Sequence, residues 1–338
     1  MVCLLLLLSL VGCSGPVDSL VVARSGSAVA GGPVAAATAA EPVQLWQDAA
    51  IFRLLARMIS GARGRVLVEM YELGRPDLVS ALGAAAVRGV SVRVITDPTV
   101  SVSRKSASRL DTLRVSERSY PVDDSIHQID HVKLLVADGE AAVGGMNWGV
   151  HSDRNHDFVL ETRVAAEVDR AARIFEQDWS LAGGDPAPLA ASQGELAQTG
   201  PGEEIRAMLE GALNHAVRRV LAEVYTLTDP EVIAELISAH RRGALVRVVL
   251  DPNQAYNLHA YSMLVAGGVE ARWYPVPKGA LLHAKIGLFD GLLVLGSANW
   301  TRSGLGVNHE LDIETRDPSA VAAYGSRFDS DWRRSAVS

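Results

Sequence analysis

The sequence predicts an α/β fold of two tandem repeats, related by a pseudo-twofold axis, each with a mainly parallel sheet flanked by helices. Three observations lead to this prediction. Segments of the first half recur in the second half at an almost constant offset. In each half, β-branched runs alternate with segments of helical periodicity. The chain has 338 residues, of which 48% are hydrophobic and 21% charged, and this composition is typical of packed globular domains.

The repeat is the strongest feature of the sequence. Five segments of the first half recur in the same order in the second half, and the offset varies only between 152 and 154 residues. Collinear matches of this kind indicate that one structural unit is encoded twice. The longest pairs are RVLVEMYEL with RVLAEVYTL, at 65–73 and 219–227, and VRVITDP with VRVVLDP, at 92–98 and 246–252. The predicted organisation is repeat one over 44–180, a linker rich in Gly, Pro and Ala over 181–202, and repeat two over 203–333.

Each repeat contains a β–α–β unit. In repeat two, Asp229 can cap a helix N-terminus, and Pro230 suits the first helical position. Gly243 is suited to end that helix, and the run at 245–250 follows as a strand. Repeat one has the same order, with its strand predicted over 90–95. Because strands and helices alternate, we expect a mainly parallel sheet covered by helices, with a functional site at the seam between the repeats.

The N-terminal 43 residues differ from the rest of the chain. Residues 1–13 contain an apolar run that is too short to span a membrane and is typical of an export signal. The run ends in LVGC, which resembles a bacterial lipobox and would make Cys13 a lipidation site, although no Lys or Arg precedes it. Residues 14–43 are predicted to be a flexible tether. The expected location is therefore the cell envelope, as a membrane-anchored lipoprotein, with secretion as the alternative.

Charge and composition narrow the possible functions. The net charge of −7 disfavours a dedicated nucleic-acid binder, although a local basic patch could suffice. Both cysteines, Cys3 and Cys13, lie in the apolar run, so no disulfide is expected in the folded part. Only four of the 32 basic residues are Lys, and two of these, Lys133 and Lys285, belong to the motifs described next. Their retention suggests that these two positions need a compact ammonium group rather than a guanidinium.

Each repeat carries one His-x-Lys-x4-Asp motif followed by a Gly-x-x-Asn segment. Alternating apolar residues predict a strand, and residues i and i+2 of a strand point to one face. The His and Lys of each copy are therefore expected to project side by side into the seam, and the glycine permits the turn that brings back the Asn. The two sets are His131, Lys133, Asp138 and Asn147 in repeat one, and His283, Lys285, Asp290 and Asn299 in repeat two.

The double motif resembles the phospholipase D superfamily, which includes phospholipases D, cardiolipin synthases and related nucleases. The resemblance covers 44–333, and GGMN at 144–147 is similar to the first motif of cardiolipin synthases and some bacterial phospholipases D. It implies that Asp157 and Glu310 each orient a motif histidine, with Asp157 expected beside His131 of its own repeat. It also implies that the two motif aspartates are structural and that no metal or other cofactor is needed. Ser297 offers a hydroxyl either to the phosphate or to a turn.

These residue types suit phosphodiester chemistry. One neutral histidine attacks phosphorus and forms a phosphohistidine, while the other, protonated, donates its proton to the leaving alcohol. By the resemblance, the nucleophile is His131 and the general acid is His283. The two Lys and two Asn side chains can hold the phosphoryl oxygens, a task that metal ions perform elsewhere. Water or a second alcohol then attacks, which gives hydrolysis or transphosphatidylation.

Three functions compete at this point. We expect a phospholipase D that hydrolyses or transfers phosphatidyl groups of a phospholipid. A phosphodiesterase acting on nucleic acid is an alternative that the acidic balance disfavours. A cardiolipin synthase is a further alternative, although such enzymes often carry N-terminal membrane spans. A purely binding module is disfavoured because both motifs are intact. No protein partner is predicted; the expected partners are a phospholipid substrate and, through the lipid anchor, a membrane surface.

Overall fold

A computed structural model describes residues 42–185, 195–199 and 204–337. The predicted export signal, the candidate lipidation site Cys13 and almost all of the predicted tether lie outside these residues. Within them, no helix is both long and apolar enough to cross a membrane.

The two repeats have the same succession of elements. Repeat one consists of β1 Val43–Gln47, α1 Ala50–Gly61, β2 Arg65–Met70, α2 Pro76–Val87, β3 Ser91–Thr96, α3 Ser101–Thr112, β4 Ser116–Ser119, β5 Lys133–Ala137, β6 Glu140–Gly144, β7 Phe158–Thr162 and α4 Ala165–Ala182. Repeat two consists of β8 Leu196–Thr199, α5 Glu204–His215, β9 Arg219–Val224, α6 Pro230–Arg241, β10 Leu245–Leu250, α7 Asn257–Ala266, β11 Glu270–Trp273, β12 Lys285–Phe289, β13 Leu292–Gly296, α8 Arg302–Gly306, β14 Glu310–Thr315 and α9 Pro318–Arg334.

Each repeat contributes one seven-stranded sheet. The strand orders are β1-β7-β6-β5-β2-β3-β4 and β11-β10-β9-β12-β13-β14-β8, so the two sheets have equivalent topology. The predicted α/β fold of two tandem repeats is confirmed, but the expectation of mainly parallel sheets is wrong. In each sheet the three strands of the β–α–β units are parallel, whereas the remaining pairings are antiparallel.

The antiparallel half of each sheet begins at the motif aspartate. Asp138 and Asp290 have φ angles of 50° and 56°, and each is followed by Gly at the tip of a β-hairpin. Asp adopts this left-handed conformation more readily than most residues, and Asp-Gly is a favoured pair in two-residue hairpin loops. This local chemistry turns β5 back onto β6, and β12 onto β13, without the helical crossover that a parallel pairing requires.

The predicted linker over 181–202 is partly wrong. Helix α4 continues to Ala182, and Leu196–Thr199 form β8, the edge strand that pairs with β14. This strand is the counterpart of β1, which pairs with β7 in repeat one. A four-residue strand in an Ala- and Gly-rich stretch has too little apolar alternation to be recognised from sequence. The N-cap prediction is confirmed, since the Asp229 carboxylate accepts from the backbone N–H groups of Glu231 and Val232.

Apolar faces of the two sheets pack against each other. One core cluster contains alternate residues of β5, such as Leu134 and Val136, together with their counterparts Ile286 and Leu288 in β12. The opposite face of each sheet is covered by the helices of its own repeat. The seam between the repeats is therefore a buried interface, and the motif strands enter it side by side.

Candidate active site

Backbone pairing across the seam positions both motifs. The His309 N–H donates to Ile129 O at 2.9 Å, and the His131 N–H donates to His309 O at 2.8 Å. The reciprocal pair is made by His156, whose N–H donates to Leu281 O and whose carbonyl accepts from His283 N–H, both at 2.8 Å. Each segment before a motif strand is thereby hydrogen bonded to the Asn-His-acid segment of the other repeat.

Two further aspartates accept hydrogen bonds from the backbone of the same segments. The sequence analysis gave these aspartates no role in the site. Asp97 Oδ2 accepts from the backbone N–H of Asp130 at 2.7 Å. Asp251 Oδ2 accepts from Leu282 N–H at 2.6 Å. Each donor residue directly precedes a motif histidine. The Asp-Pro ends of β3 and β10, visible in the sequence repeat, were the signal that could have revealed this role.

The first motif histidine is paired with the acid of the other repeat. His131 Nδ1 lies 2.8 Å from Glu310 Oε2, and both side chains are buried. The same carboxylate oxygen accepts from Ser297 Oγ at 2.6 Å, and Asn308 donates to Oε1 at 3.0 Å. Ser297 thus contacts the orienting acid. The expectation that Asp157 lies beside His131 is wrong, because the bridges across the seam exchange the two acids.

The second motif histidine is built differently. His283 Nδ1 lies 2.7 Å from Asp157 Oδ2. The position equivalent to Ser297 is Gly145, where an added Cβ would lie 2.4 Å from Asp157 Oδ1. The shorter acid therefore requires a residue without a side chain beside it. In both halves Nδ1 is taken by a carboxylate, which leaves Nε2 available for chemistry.

The two motif lysines are buried beside tyrosine rings. Lys133 and Lys285 donate to the carbonyl oxygens of His131 and His283, each at 2.5 Å. Their ammonium groups lie 5.0 Å and 5.2 Å from the ring centroids of Tyr71 and Tyr225. Burial lowers the pKa of Lys133 to about 7 and that of Lys285 to about 8. A bound phosphate anion would oppose this effect and favour the charged forms.

Tyr71 and Tyr225 are site residues that the sequence analysis missed. Their ring centroids lie 4.8 Å from those of His131 and His283, so each tyrosine contacts both members of one His-Lys pair. Each tyrosine is the seventh residue of its nine-residue repeated segment, and Glu72 or Thr226 follows it. A repeated aromatic residue at the C-terminal end of a repeated strand was the available signal.

The surroundings of both motif histidines lower their pKa values and so favour the neutral forms. Burial and the neighbouring Lys285 lower the pKa of His283 to about 4. Its two ring nitrogens lie 3.0 Å and 3.1 Å from Lys285 Nζ. Burial also lowers the pKa of His131, but Glu310 opposes that effect more strongly than Lys133 reinforces it. A bound anion would oppose these shifts and favour the protonated forms.

The remaining predicted residues divide into two groups. Asn147 and Asn299 each have a buried side-chain oxygen with no hydrogen-bond partner, so both halves present an unused acceptor. Asp138 and Asp290 instead accept three backbone N–H groups each, from 63–65 and 217–219 respectively. They stabilise the turn before the first central strand of each repeat.

Among the described residues, two groups of side chains are close enough to hold a metal ion. They are Glu69, Asp130 and His309, and His156, Glu223 and Asp331. In both groups the histidine faces carboxylates that raise its pKa well above its usual value, against the effect of burial. A protonated imidazole donates hydrogen bonds and does not ligate metal. The arrangement fits two buried charge clusters that link the repeats.

Comparisons with known proteins match a single family model to both repeats. The family described as cardiolipin synthase, PLD-like domain, matches 55–179 and 209–332. A mitochondrial cardiolipin hydrolase of Chlamydomonas reinhardtii is 30% identical over 122 residues, covering 36% of this chain and 54% of the relative. A probable cardiolipin synthase of Bacillus subtilis is 24% identical over 299 residues, covering 78% of this chain and 59% of the relative. The chain thus spans little more than half the length of these curated relatives.

Solved structures show the same fold. A phosphatidylserine synthase of Haemophilus influenzae superposes with a TM-score of 0.69 at 12% identity, covering 89% of this chain and 88% of that one. A polyphosphate kinase of Porphyromonas gingivalis gives a TM-score of 0.65 at 18% identity, covering 86% of this chain and 47% of that one. At these identities the likeness concerns the fold alone.

Proposed function

Because the chain belongs to the cardiolipin synthase PLD-like domain family of the phospholipase D superfamily, we propose that it is a phospholipid phosphodiesterase that hydrolyses or transfers phosphatidyl groups. The observation that supports this most is the pairing of His131 with Glu310 and of His283 with Asp157 across one seam. Two imidazoles, each with Nδ1 bound to a carboxylate, lie beside two buried lysines whose charged forms a bound phosphate would favour. That arrangement suits a phosphodiester anion.

The reaction proceeds in two displacements. The unprotonated Nε2 of one histidine attacks phosphorus, and the P–O bond to the leaving alcohol breaks as the other histidine, protonated, gives its proton to that oxygen. The second histidine, now neutral, removes a proton from water or an acceptor alcohol. That oxygen attacks the phosphohistidine, and the P–N bond breaks. Lys133 and Lys285 stabilise the charge on the non-bridging oxygens throughout.

The roles of the two histidines are open to direct test. The resemblance assigns the nucleophile to His131, and this stays a prediction. The charges of the free site favour the opposite assignment, because Lys285 makes His283 the harder ring to protonate. Rapid quenching with a labelled nitrophenyl phosphodiester distinguishes the two, since its leaving group needs no proton. On the first assignment, His283→Asn forms the labelled phosphohistidine and His131→Asn forms none. Label on His283 in the His131→Asn protein would reverse the roles.

The same assay tests the mechanism as a whole. Activity of the wild-type protein on phosphatidylcholine and phosphatidylglycerol is expected to survive EDTA, because lysine and histidine supply the positive charge. Loss on chelation that a divalent ion restores would contradict the mechanism. Activity without label on either histidine would overturn the covalent route, and turnover of single-stranded DNA in preference to lipid would overturn the substrate class.

Transfer to an alcohol is a second candidate outcome, favoured by the match to a probable cardiolipin synthase over 78% of this chain. With phosphatidylglycerol as both donor and acceptor, a transferase produces cardiolipin and glycerol, whereas a hydrolase produces phosphatidic acid and glycerol. The ratio of cardiolipin to phosphatidic acid at increasing substrate concentration measures the partition directly.

We propose that the protein acts at the cell envelope, held there by lipid on Cys13. The support is the LVGC segment at the end of an apolar run. Cys13→Ser is expected to move the protein from the membrane fraction to the soluble fraction in a host that processes the wild type. Unchanged fractionation would refute lipid anchoring.

A further inference from the structure

A cleft of about 760 Å³ lies where the two repeats meet, and one of its lining residues, Glu72, is hydrogen bonded to Asn147 of the first motif. Its walls come from both repeats, including Asn155, two residues before Asp157, and Leu281, two residues before His283. Asn155 Oδ1 accepts from Leu281 N–H at 3.1 Å, which ties the two walls together at this point. The cleft is therefore placed to receive a group carried by the phosphate that the histidines hold.

Glu72 gives this cleft a carboxylate. Among the lining residues that the structure describes, Glu72 is the one carboxylate, none is Lys or Arg, and His151 is the one other titratable side chain. Its carboxylate lies against Gly149, where an added Cβ would be 2.4 Å from Oε1. Burial raises the pKa of Glu72, while Lys133, a hydrogen bond from Asn147 and the nearby His151 lower it. Glu72 thus touches the phosphoryl site on one side and the cleft on the other.

Repeat two has no counterpart to this charge. Tyr71-Glu72 of repeat one corresponds to Tyr225-Thr226 of repeat two, directly after the equivalent strands β2 and β9. The tyrosines contact equivalent His-Lys pairs. The residue after the tyrosine is what differs between the repeats. The His-Lys pairs are nearly symmetric, whereas the residue after each tyrosine is a carboxylate in repeat one and a neutral hydroxyl in repeat two. A phosphodiester has two different substituents, and this difference can distinguish them.

We infer that the cleft beside Glu72 binds the head-group alcohol of the substrate, and that Glu72 selects an alcohol carrying an ammonium group over one carrying a further phosphate. This inference rests on the proposed function. The ammonium would take the side of Glu72 away from Asn147, next to the neutral hydrogen-bonding groups of Ser152 and Asn253. A second phosphate at that place would meet a carboxylate, and like charges at close range disfavour binding.

The test compares kcat/KM for phosphatidylethanolamine, phosphatidylglycerol and cardiolipin in vesicles of one bulk composition. Glu72→Gln keeps the shape of the side chain and an oxygen for Asn147, and removes only the charge. We expect it to lower the ratio of phosphatidylethanolamine to cardiolipin turnover about tenfold, the scale of one hydrogen bond to a charged group. The value for phosphatidylglycerol, whose head group is neutral, is expected to change little between the two proteins.

The equivalent position provides the matched control. Thr226→Val removes a polar group from the other flank and is expected to leave the ratio unchanged. If Glu72 only orients Asn147, Glu72→Gln leaves the ratio unchanged and Glu72→Thr lowers all three values by the same factor; either result overturns the inference. Thermal unfolding of each variant separates these effects from loss of folded protein. Wild-type protein inactive on every lipid would instead refute the proposed function.

Discussion

His309 and His156 occupy equivalent positions in the two repeats, and each reaches across the seam into a pair of carboxylates. His309 Nε2 lies 3.1 Å from Asp178 and 3.4 Å from Glu69. His156 Nε2 lies 2.9 Å from Glu223 and 3.2 Å from Asp331. Each ring also stacks on a tyrosine, Tyr120 in the first cluster and Tyr274 in the second. Both clusters that link the repeats thus contain a histidine, two carboxylates and a stacked tyrosine.

The charges that complete the two clusters differ. The second cluster includes Arg327, which pairs with Asp48 and Asp331, whereas the equivalent position in the first is Ile174. The first cluster contains Asp130, where repeat two has Leu282, and burial and nearby acids raise the pKa of Asp130 to about 7. Against the effect of burial, His156 and Arg327 lower the pKa of Asp331 to about 2. The second cluster thus contains an arginine that the first lacks, and the first contains a buried aspartate whose pKa is raised.

The two halves of the candidate active site also differ in the residues around each motif histidine. One half combines a long acid with a serine, Glu310 with Ser297, and the other combines a short acid with a glycine, Asp157 with Gly145. Both combinations hold a histidine Nδ1 at nearly the same distance. The acid and the residue beside it therefore differ together between the two repeats. A change in the length of the acid is accommodated by a change in its neighbour.

The largest expected effect tests whether the two lysines are equivalent. Lys133→Arg and Lys285→Arg keep the charge but replace a compact donor with a wide planar group in a fully packed seam. We expect each to lower kcat at least about a hundredfold, the scale of losing one oxyanion donor. The loss should be larger for Lys285, because its Nζ contacts the His283 ring. Lys105→Arg, at an exposed site, is the control. Near wild-type rates for both motif variants would refute the assigned role.

A smaller effect tests the proton balance of the first cluster. The folded-state pKa of Asp130, about 7, exceeds its ordinary value of 3.8, so the folded protein binds the extra proton and loses stability as pH rises between about 4 and 7. Asp130→Asn removes that loss. We expect the variant to exceed wild type in free energy of unfolding by on the order of 2 kcal/mol at pH 8 and by little at pH 4. Urea unfolding at both pH values measures this.

The second cluster supplies the opposite control for that experiment. Because the pKa of Asp331 is lowered to about 2, its contribution to stability is present above about pH 4 and is lost as pH falls towards 2. Asp331→Asn should therefore destabilise the protein at pH 8. A gain for Asp130→Asn that is the same at pH 4 and pH 8 would show that the two clusters are not balanced differently.

The smallest effect tests the Glu-Ser half of the site. Ser297→Ala removes the 2.6 Å hydrogen bond to Glu310, and we expect kcat to fall about tenfold, as for one hydrogen bond to a charged group. That hydrogen bond lowers the pKa of Glu310, so the acidic limb of the kcat–pH profile should move to higher pH. Ser303→Ala, at an exposed serine, is the control. A change in KM alone, with an unmoved pH profile, would place Ser297 at the substrate instead.

Much of the fold was predictable because its signals are local. Asp229, Pro230 and Gly243 mark a helix through capping and backbone preference, which depend on a few adjacent residues. The repeat offset identifies the two halves without any structural knowledge. The hairpins at Asp138 and Asp290 were also readable from their Asp-Gly pairs, and the prediction of mainly parallel sheets failed by overlooking them. Strand β8 was missed because four residues carry too little periodicity.

The sequence by itself determined the two-copy architecture, the His-Lys pairs and the chemistry they can perform. Only the tertiary structure decided that Glu310 serves His131 and that Asp157 serves His283. It also decided that Asp97 and Asp251 hold the segments before the motifs, and that Glu72 faces a cleft. The physical reason is that periodicity and capping act between neighbours in the chain. A partner more than a hundred residues away is chosen by the packing of two sheets, and no local pattern records that choice.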